Sequence, residues 1–273
     1  MKYISTKLYQ KMIDHALTEG ISKDKLEALP IPPNALKNLQ AVPAHNFFSL
    51  HEFLDQQLGP GFAVRIGQQM KMDDYGVLGL SWKTCSKVGD IFLLSERYFK
   101  MLSNTYVFKV EQEEENTHTY LMREAHRRGV ALSNEATFSA TVVVLQAMAE
   151  SPISPVHVSF QHAPPSDLRH HEAVFNCPIL FNQASNCISY RTVDFESRTA
   201  KADTSIHRFL MERVEEETKG IEFSAIKVAA DTEQLIRDAL PGGIPSITQI
   251  GAHMGMSSRT LTRRLATNGI TFR

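Results

Sequence analysis

The sequence predicts an α+β fold, in which a mixed N-terminal domain is followed by an all-α C-terminal segment. Apolar residues recur at helical spacing through most of the first hundred residues, and they alternate at strand spacing in several runs between about 106 and 193. Helical spacing returns after about 203. The 273 residues carry a formal charge of −1 and are 42% hydrophobic, which is typical of a globular protein with one or two domains.

The first hundred residues are predicted to be mainly helical. Apolar residues at three- and four-residue steps indicate helices at 6–18, 47–58, 62–70 and about 86–102. Gly20 is placed to end the first helix, and the Gly-Pro-Gly run after Leu58 is placed to end the second.

The next hundred residues mix strands with one buried helix. Alternating apolar residues on both sides of an acidic turn indicate a hairpin at about 105–124, and short strands are expected within 156–162, 177–182 and 187–193. Between them lies a helix that is apolar on all sides and is therefore expected to be buried, with Ser133 or Asn134 as its cap and an end before Pro152.

Two further helices are expected after the last strand. One runs from about Asp203 to Thr218 and ends at Gly220, and the other runs from about Ser224 to Leu240 and ends at Pro-Gly-Gly. The charged run before Gly220 is interpreted as a solvated helix end that leads into a connector. The predicted domains are therefore residues 1–219 and 220–273.

The C-terminal segment has the pattern of a helix-turn-helix. Ser246 is a predicted N-cap, and the helix after it places Ile247, Ile250, Gly251 and Met254 on one apolar face. Gly255 stands where a left-handed residue can end that helix.

The second helix of this segment is predicted to point two leucines inward and two arginines outward. Ser257 is its predicted cap, and Leu261 and Leu265 are four residues apart, so they point together toward the first helix. The opposite arc carries the side chains expected to contact bases, namely Arg259, Thr262 and Arg263, beside the small residue Ala266.

Residues at the rim of this helix are expected to hold phosphates rather than bases. These are Ser257, Ser258 and Arg264. Residues 241–273 contain four arginines and no carboxylate, so this segment carries +4 and the remainder of the chain −5. An amphipathic helix with exposed arginines is also found on ordinary solvated surfaces, but such surfaces normally mix both signs, so the charge favours binding to double-stranded DNA.

The C-terminal run IGAHMGMSSRTLTRRLATNGITFR resembles the first helix-turn-helix of the AraC/XylS family of bacterial transcription regulators. The resemblance implies that Arg259, Thr262 and Arg263 occupy base-contacting positions, whereas Ile250, Leu261, Leu265 and Phe272 occupy core positions. Two departures are mild, since Gly251 replaces the usual alanine and Met254 the usual leucine.

Upstream stretches are similar to the arabinose-binding type of N-terminal domain found in some of these regulators. The similarity is carried by YGVLGLSWKTCSKVGDIFLLSERYFKML, which begins at Tyr75, and by the region from Pro155 to Asp203. Asn176 replaces a common glycine, and residues 195–197 depart from the usual sequence motif of this domain. The resemblance implies a domain that binds a small-molecule effector and forms a homodimer, and it favours an activator. Phe92, Tyr98, Phe108 and Tyr120 are expected to be core residues rather than a ligand cage.

Family members continue past the first helix-turn-helix into a second one, whereas this sequence stops at Arg273. We therefore expect a ligand-responsive regulator that is truncated after its first helix-turn-helix. Its binding to DNA is expected to be weak and salt-sensitive unless it dimerises. The alternative is a small-molecule-binding and dimerisation module that does not bind DNA by itself.

No enzymatic activity, cofactor or metal site is predicted. The run HHEAVF places Phe175 where a zinc-protease motif requires histidine, and His170 and His171 are expected in an exposed turn. The three cysteines form no paired motif, and neither a signal peptide nor a run long enough to cross a membrane is present, so a cytoplasmic protein is expected.

Overall fold

The computed structural model of the chain describes residues 2–39, 41–123, 126–240, 243–254, 257–266 and 270–272, and it gives the backbone alone at 38, 219–231 and 238. The chain divides into two compact units, one formed by Tyr3–Val214 and one that contains Glu215–Arg273. The α+β class predicted from the sequence is confirmed by the elements of the larger unit.

Of the twelve α-helices in the described residues, eleven have both ends within the same unit. The remaining helix, Thr204–Ala239, is much longer than the others and contains the boundary between the units at 214/215. In chain order the twelve helices are α1 Thr6–Thr18, α2 Lys23–Glu27, α3 Ala44–Leu58, α4 Phe62–Gln68, α5 Gly76–Trp82, α6 Val88–Tyr98, α7 Arg128–Met148, α8 Arg169–Phe175, α9 Thr192–Phe195, α10 Thr204–Ala239, α11 Ile247–His253 and α12 Ser258–Ala266. Short 3-10 helices lie at Pro33–Asn38, Met72–Tyr75 and Phe99–Met101.

The strands in the described part of the chain form two sheets. They are β1 Tyr3–Ser5, β2 Ala41–Pro43, β3 Val107–Gln112, β4 Asn116–Met122, β5 His157–Ser159, β6 Ile179–Leu180 and β7 Cys187–Arg191. The first two pair with each other, and the other five follow the order β3-β4-β7-β5-β6, in which only β5 and β6 run parallel. The predicted hairpin is β3 and β4, with Val107 opposite Met122 and Gln112 opposite Thr117.

The buried helix α7 organises the larger unit, because α3, α4 and α8 all pack against it. Its backbone approaches α3 so closely that a Cβ atom added at Gly129 would lie 2.1 Å from the carbonyl oxygen of Phe48. Glycine is therefore required at this position for steric reasons, although alanine is the better helix former.

Two helix boundaries differ from those predicted. The helix expected to begin at Ser133 or Asn134 begins at Arg128, and both polar residues are buried inside it. Their side chains accept hydrogen bonds from Arg123, so they satisfy a buried cation instead of capping a helix. The helix expected to end at Gly220 continues as α10 to Ala239, because one glycine inside a helix costs only about 1 kcal/mol and does not by itself stop it. The predicted division at 219/220 thus falls within α10.

The run with His170 and His171 is a helix rather than an exposed turn. His171 lies in α8 and is fully buried, with its Nε2 atom 3.1 Å from a carboxylate oxygen of Glu135. The helix ends at Asn176, whose φ of 47° is left-handed. Asparagine tolerates that conformation better than most residues, which explains how Asn176 can stand where the resembling sequences carry glycine.

Candidate nucleic-acid interface and cavity

The helices α11 and α12 pack through a small apolar core. Ile250, Leu261 and Leu265 are buried, and the partly buried side chains of Leu235, Ile236, Ile247, Met254 and Phe272 surround them. The inward orientation predicted for the two leucines of α12 and for the apolar face of α11 is confirmed.

Both helices begin with serine caps. The hydroxyl of Ser246 accepts a hydrogen bond from the backbone N–H of Gln249, whose side chain accepts one from the backbone N–H of Ser246. Ser257 accepts a hydrogen bond from the backbone N–H of Thr260 at 3.1 Å, so its predicted role as the cap of α12 is confirmed. The predicted left-handed residue, Gly255, lies outside the described residues.

Arg259, Thr262 and Arg263 lie on the face of α12 opposite its buried leucines, and all three are exposed. At about 100° per residue they fall within about a hundred degrees of arc. Within the described residues, neither Arg259 nor Arg263 pairs with a carboxylate. The Thr262 hydroxyl donates to the carbonyl of Ser258 at 2.8 Å, which leaves its oxygen to accept and its methyl group to make apolar contacts.

The three residues predicted to bind phosphates lie at the start and the side of the same helix. Ser257 and Arg264 are exposed and Ser258 is half-buried. The amino end of α12 also offers the positive end of a helix dipole beside Ser257 and Ser258, and that end favours anions.

The larger unit contains a cavity of about 100 Å³. The side of α7 that faces it runs from Ser133 to Leu145, a rise of about 18 Å at 1.5 Å per residue. Aromatic residues from other elements complete the wall, among them Phe47, Tyr75, Trp82, Phe92, Tyr106 and Phe108. No Asp, Glu, Lys or Arg side chain lines the cavity in the part of the chain that the structure describes.

Three hydroxyl groups of this wall donate hydrogen bonds to backbone carbonyl groups of their own helices. Thr137 donates to the carbonyl of Ser133, Thr141 to that of Thr137, and Ser95 to that of Ile91. In contrast, the indole Nε1 of Trp82 is buried and has no hydrogen-bond partner among the described residues. An unpaired buried donor costs free energy that a ligand acceptor would recover.

A buried arginine lies directly behind one end of the cavity. Arg123 donates to Ser133 Oγ at 3.1 Å, and its guanidinium carbon lies 4.8 Å from the ring centre of Tyr106. Its other hydrogen-bond acceptors are the neutral side chains of Asn134 and Thr105. Burial lowers the pKa of Arg123 to about 10, so the guanidinium is still charged near neutral pH.

His51 lines the same end of the cavity and is uncharged near neutral pH. Its Nδ1 atom lies 3.0 Å from the carbonyl oxygen of Phe47. Burial lowers the pKa of His51 to about 4, and the charge of Arg123 acts in the same direction. The guanidinium of Arg123 therefore contributes a positive charge at this end of the cavity, where the carboxylate of Glu52 also acts on His51.

The cavity was not found from the sequence. Phe92 and Phe108, expected to be ordinary core residues, are buried and also line its wall, whereas Tyr98 is buried and does not line it. Its lining comes from six α-helices, two 3-10 helices and a strand, so no local spacing indicated it. The sequence signal that could have pointed to Arg123 is an arginine at the end of an apolar strand, directly before a buried helix.

Comparison with known proteins identifies a family and several relatives of this chain. Residues 23–198 match the family model described as the arabinose-binding domain of AraC transcription regulator, N-terminal. The ornithine utilization regulator of Pseudomonas aeruginosa is 19% identical over 267 residues, which cover 96% of this chain and 78% of that protein. The HTH-type transcriptional regulator VqsM of the same organism is 23% identical over 223 residues, covering 77% of this chain and 66% of VqsM.

A solved structure shares the fold. The crystal structure of the transcriptional regulator CdpR from Pseudomonas aeruginosa superposes with a TM-score of 0.54 at 18% identity, covering 97% of this chain and 80% of CdpR. Within the described residues, none of the helices combines the length and apolar character needed to cross a bilayer.

Proposed function

The chain belongs to the family of AraC transcription regulators with an arabinose-binding N-terminal domain, and we propose that it is a ligand-responsive regulator that reads promoter DNA through α12. The observation that carries the proposal is the division of α12 into two faces. Leu261 and Leu265 are buried, whereas Arg259 and Arg263 are exposed and have no carboxylate partner among the described residues.

The proposed contacts follow from the chemistry of each side chain. Arg259 and Arg263 present forked donors that match the O6 and N7 acceptors of guanine, and Thr262 offers a methyl group and an acceptor oxygen. Ser257, Ser258 and Arg264 bind phosphates and hold α12 in register on the duplex. The charge of +4 on residues 241–273, with no carboxylate among them, supports binding to a polyanion.

Residues 1–219 are proposed to be the effector-binding and dimerisation domain, and residues 220–273 the DNA-reading segment. A small molecule that binds one conformation of the first domain better than another shifts the population between DNA-competent and DNA-incompetent states. The cavity beside α7 supports an effector site, and the family supports a homodimer that acts as an activator in the cytoplasm.

The test is fluorescence anisotropy of the purified chain with duplexes from its own upstream region, at two salt concentrations. Arg259→Ala and Arg263→Ala are each expected to weaken specific binding by about 1–3 kcal/mol, with little change for unrelated duplexes. Arg237→Ala is the matched control, because this exposed arginine lies on α10 and pairs with Glu233 at 2.7 Å.

Two results would contradict the proposal. If Arg259→Ala and Arg263→Ala bind the specific duplex as tightly as Arg237→Ala does, the reading face is assigned wrongly. If the unaltered chain shows no salt-dependent binding to any duplex, the ligand-binding module without DNA reading is the better description.

A further inference from the structure

Two buried donor groups at or behind the cavity lack the partner that burial normally requires. Trp82 Nε1 has no hydrogen-bond partner among the described residues, and Arg123 is bonded there only by neutral oxygens. A buried guanidinium is normally matched by a carboxylate, since desolvating an uncompensated charge is costly. The described part of this unit offers no carboxylate to Arg123, and none lines the cavity.

The uncompensated charge lies at one end of the cavity. Arg123 reaches the wall through its bond to Ser133 Oγ and through its contact with the ring of Tyr106, and both of these residues line the cavity. Further along α7 the wall residues are Val144 and Leu145, which are apolar. The cavity therefore has a positive end and an apolar end.

The volume of the cavity restricts the size of an occupant. A volume of about 100 Å³ is of the order of an apolar cavity that holds one benzene molecule, so an occupant has roughly six non-hydrogen atoms. A cavity of this size accepts a short chain more easily than a fused ring system.

We propose that the cavity binds a small amphipathic acid, with its carboxylate at the Ser133 end in the field of Arg123 and its short apolar body against the apolar residues of α7. This inference rests on the proposed function, because it names the chemical class of the effector. The acid supplies the negative charge that the buried guanidinium lacks, and its body covers the apolar wall.

The chain contains its own reporter for the test, because Trp82 is its single tryptophan and lines the cavity. Trp82 fluorescence is titrated with butyrate and with butanamide, which differ in charge and scarcely in size. Butyrate is expected to give a saturable change and to bind about ten-fold more tightly than butanamide, since hydrogen bonds to charged groups are stronger than neutral ones.

Variants at Arg123 identify the source of the preference. Arg123→Gln is expected to remove this preference by weakening the binding of butyrate alone, whereas Arg123→Lys, which retains the charge, keeps the preference. Arg97→Gln is the matched control, because Arg97 is an exposed arginine whose guanidinium carbon lies 5.0 Å from the ring centre of Tyr98. Circular dichroism checks that each variant is folded, and if Arg123→Gln is not, the acid and amide titrations of the unaltered chain and of Arg123→Lys decide the question.

Size is tested with adamantane-1-carboxylate, an acid that is larger than the cavity and is expected not to bind. The proposal is overturned if butanamide binds as tightly as butyrate, if the preference for the acid survives in folded Arg123→Gln, if the bulky acid binds equally well, or if none of the probes binds. Each of these results leaves the DNA-binding proposal standing, provided that Arg259→Ala still weakens binding to the specific duplex.

Discussion

Replacing Leu261 by alanine tests whether the core between α11 and α12 holds the arginine face in place. The Leu261 side chain is fully buried, and the described core of this helix pair contains only Ile250 and Leu265 as further buried apolar side chains. Each of the three therefore supplies a large share of the apolar contact that keeps the helices together.

The expected loss can be worked from that burial. Burying a leucine side chain contributes about 1.5–3 kcal/mol, and buried leucine-to-alanine changes in a large protein cost about 3–5 kcal/mol once the remaining cavity is included. A core of this size can collapse around part of the gap, so we expect about 2–3 kcal/mol. That change raises the population of the locally unfolded helix pair by roughly 30- to 150-fold.

Amide hydrogen exchange read by mass spectrometry measures this population segment by segment. Peptides that cover α12 in Leu261→Ala are expected to exchange faster by that factor, while peptides from α7 serve as the internal reference. Thr262→Ala is the matched control, since Thr262 is the exposed neighbour of Leu261. The reasoning is refuted if Thr262→Ala accelerates exchange in α12 as much as Leu261→Ala does, or if neither changes it.

Three further perturbations have expected outcomes. Gly129→Ala places a Cβ 2.1 Å from the carbonyl oxygen of Phe48, so it is expected to destabilise the protein by about 1–3 kcal/mol in urea unfolding; an increase in stability would show that the two helices can separate without cost. The pKa of His51 is about 4 in the folded protein against an ordinary 6.5, so the unfolded chain takes up this proton first, and stability falls as the pH drops from about 6.5 to 4. His51→Asn is expected to remove about 2 kcal/mol of the stability difference between pH 7 and pH 5, and an unchanged difference would contradict the buried neutral imidazole. Arg264→Ala is expected to weaken binding to all duplexes alike and to reduce the slope of log K against log salt by about 0.9, whereas an unchanged slope would exclude a phosphate contact.

Local patterns predicted most elements because the forces that set them are local. Thr6–Thr18 was predicted with its observed bounds, since periodic apolar residues define the helix and Gly20, with φ of 94°, follows its end. The caps at Ser246 and Ser257 were found for the same reason, because a cap depends on residues only three positions away. Gly220 misled the prediction, because a glycine can end a helix only where the following residues favour another conformation.

Sequence alone determined the amphipathic halves of α12 and the absence of carboxylates from 241–273, because helical periodicity and charge are properties of neighbours in the chain. The sequence alone also showed the resemblance to the AraC/XylS family. The tertiary structure decided what Ser133, Asn134 and His171 do, and it brought Arg123 from the end of β4 behind a cavity lined by six α-helices, two 3-10 helices and a strand. Burial and an unmatched charge arise from residues far apart in the sequence, so only the packed chain could reveal them.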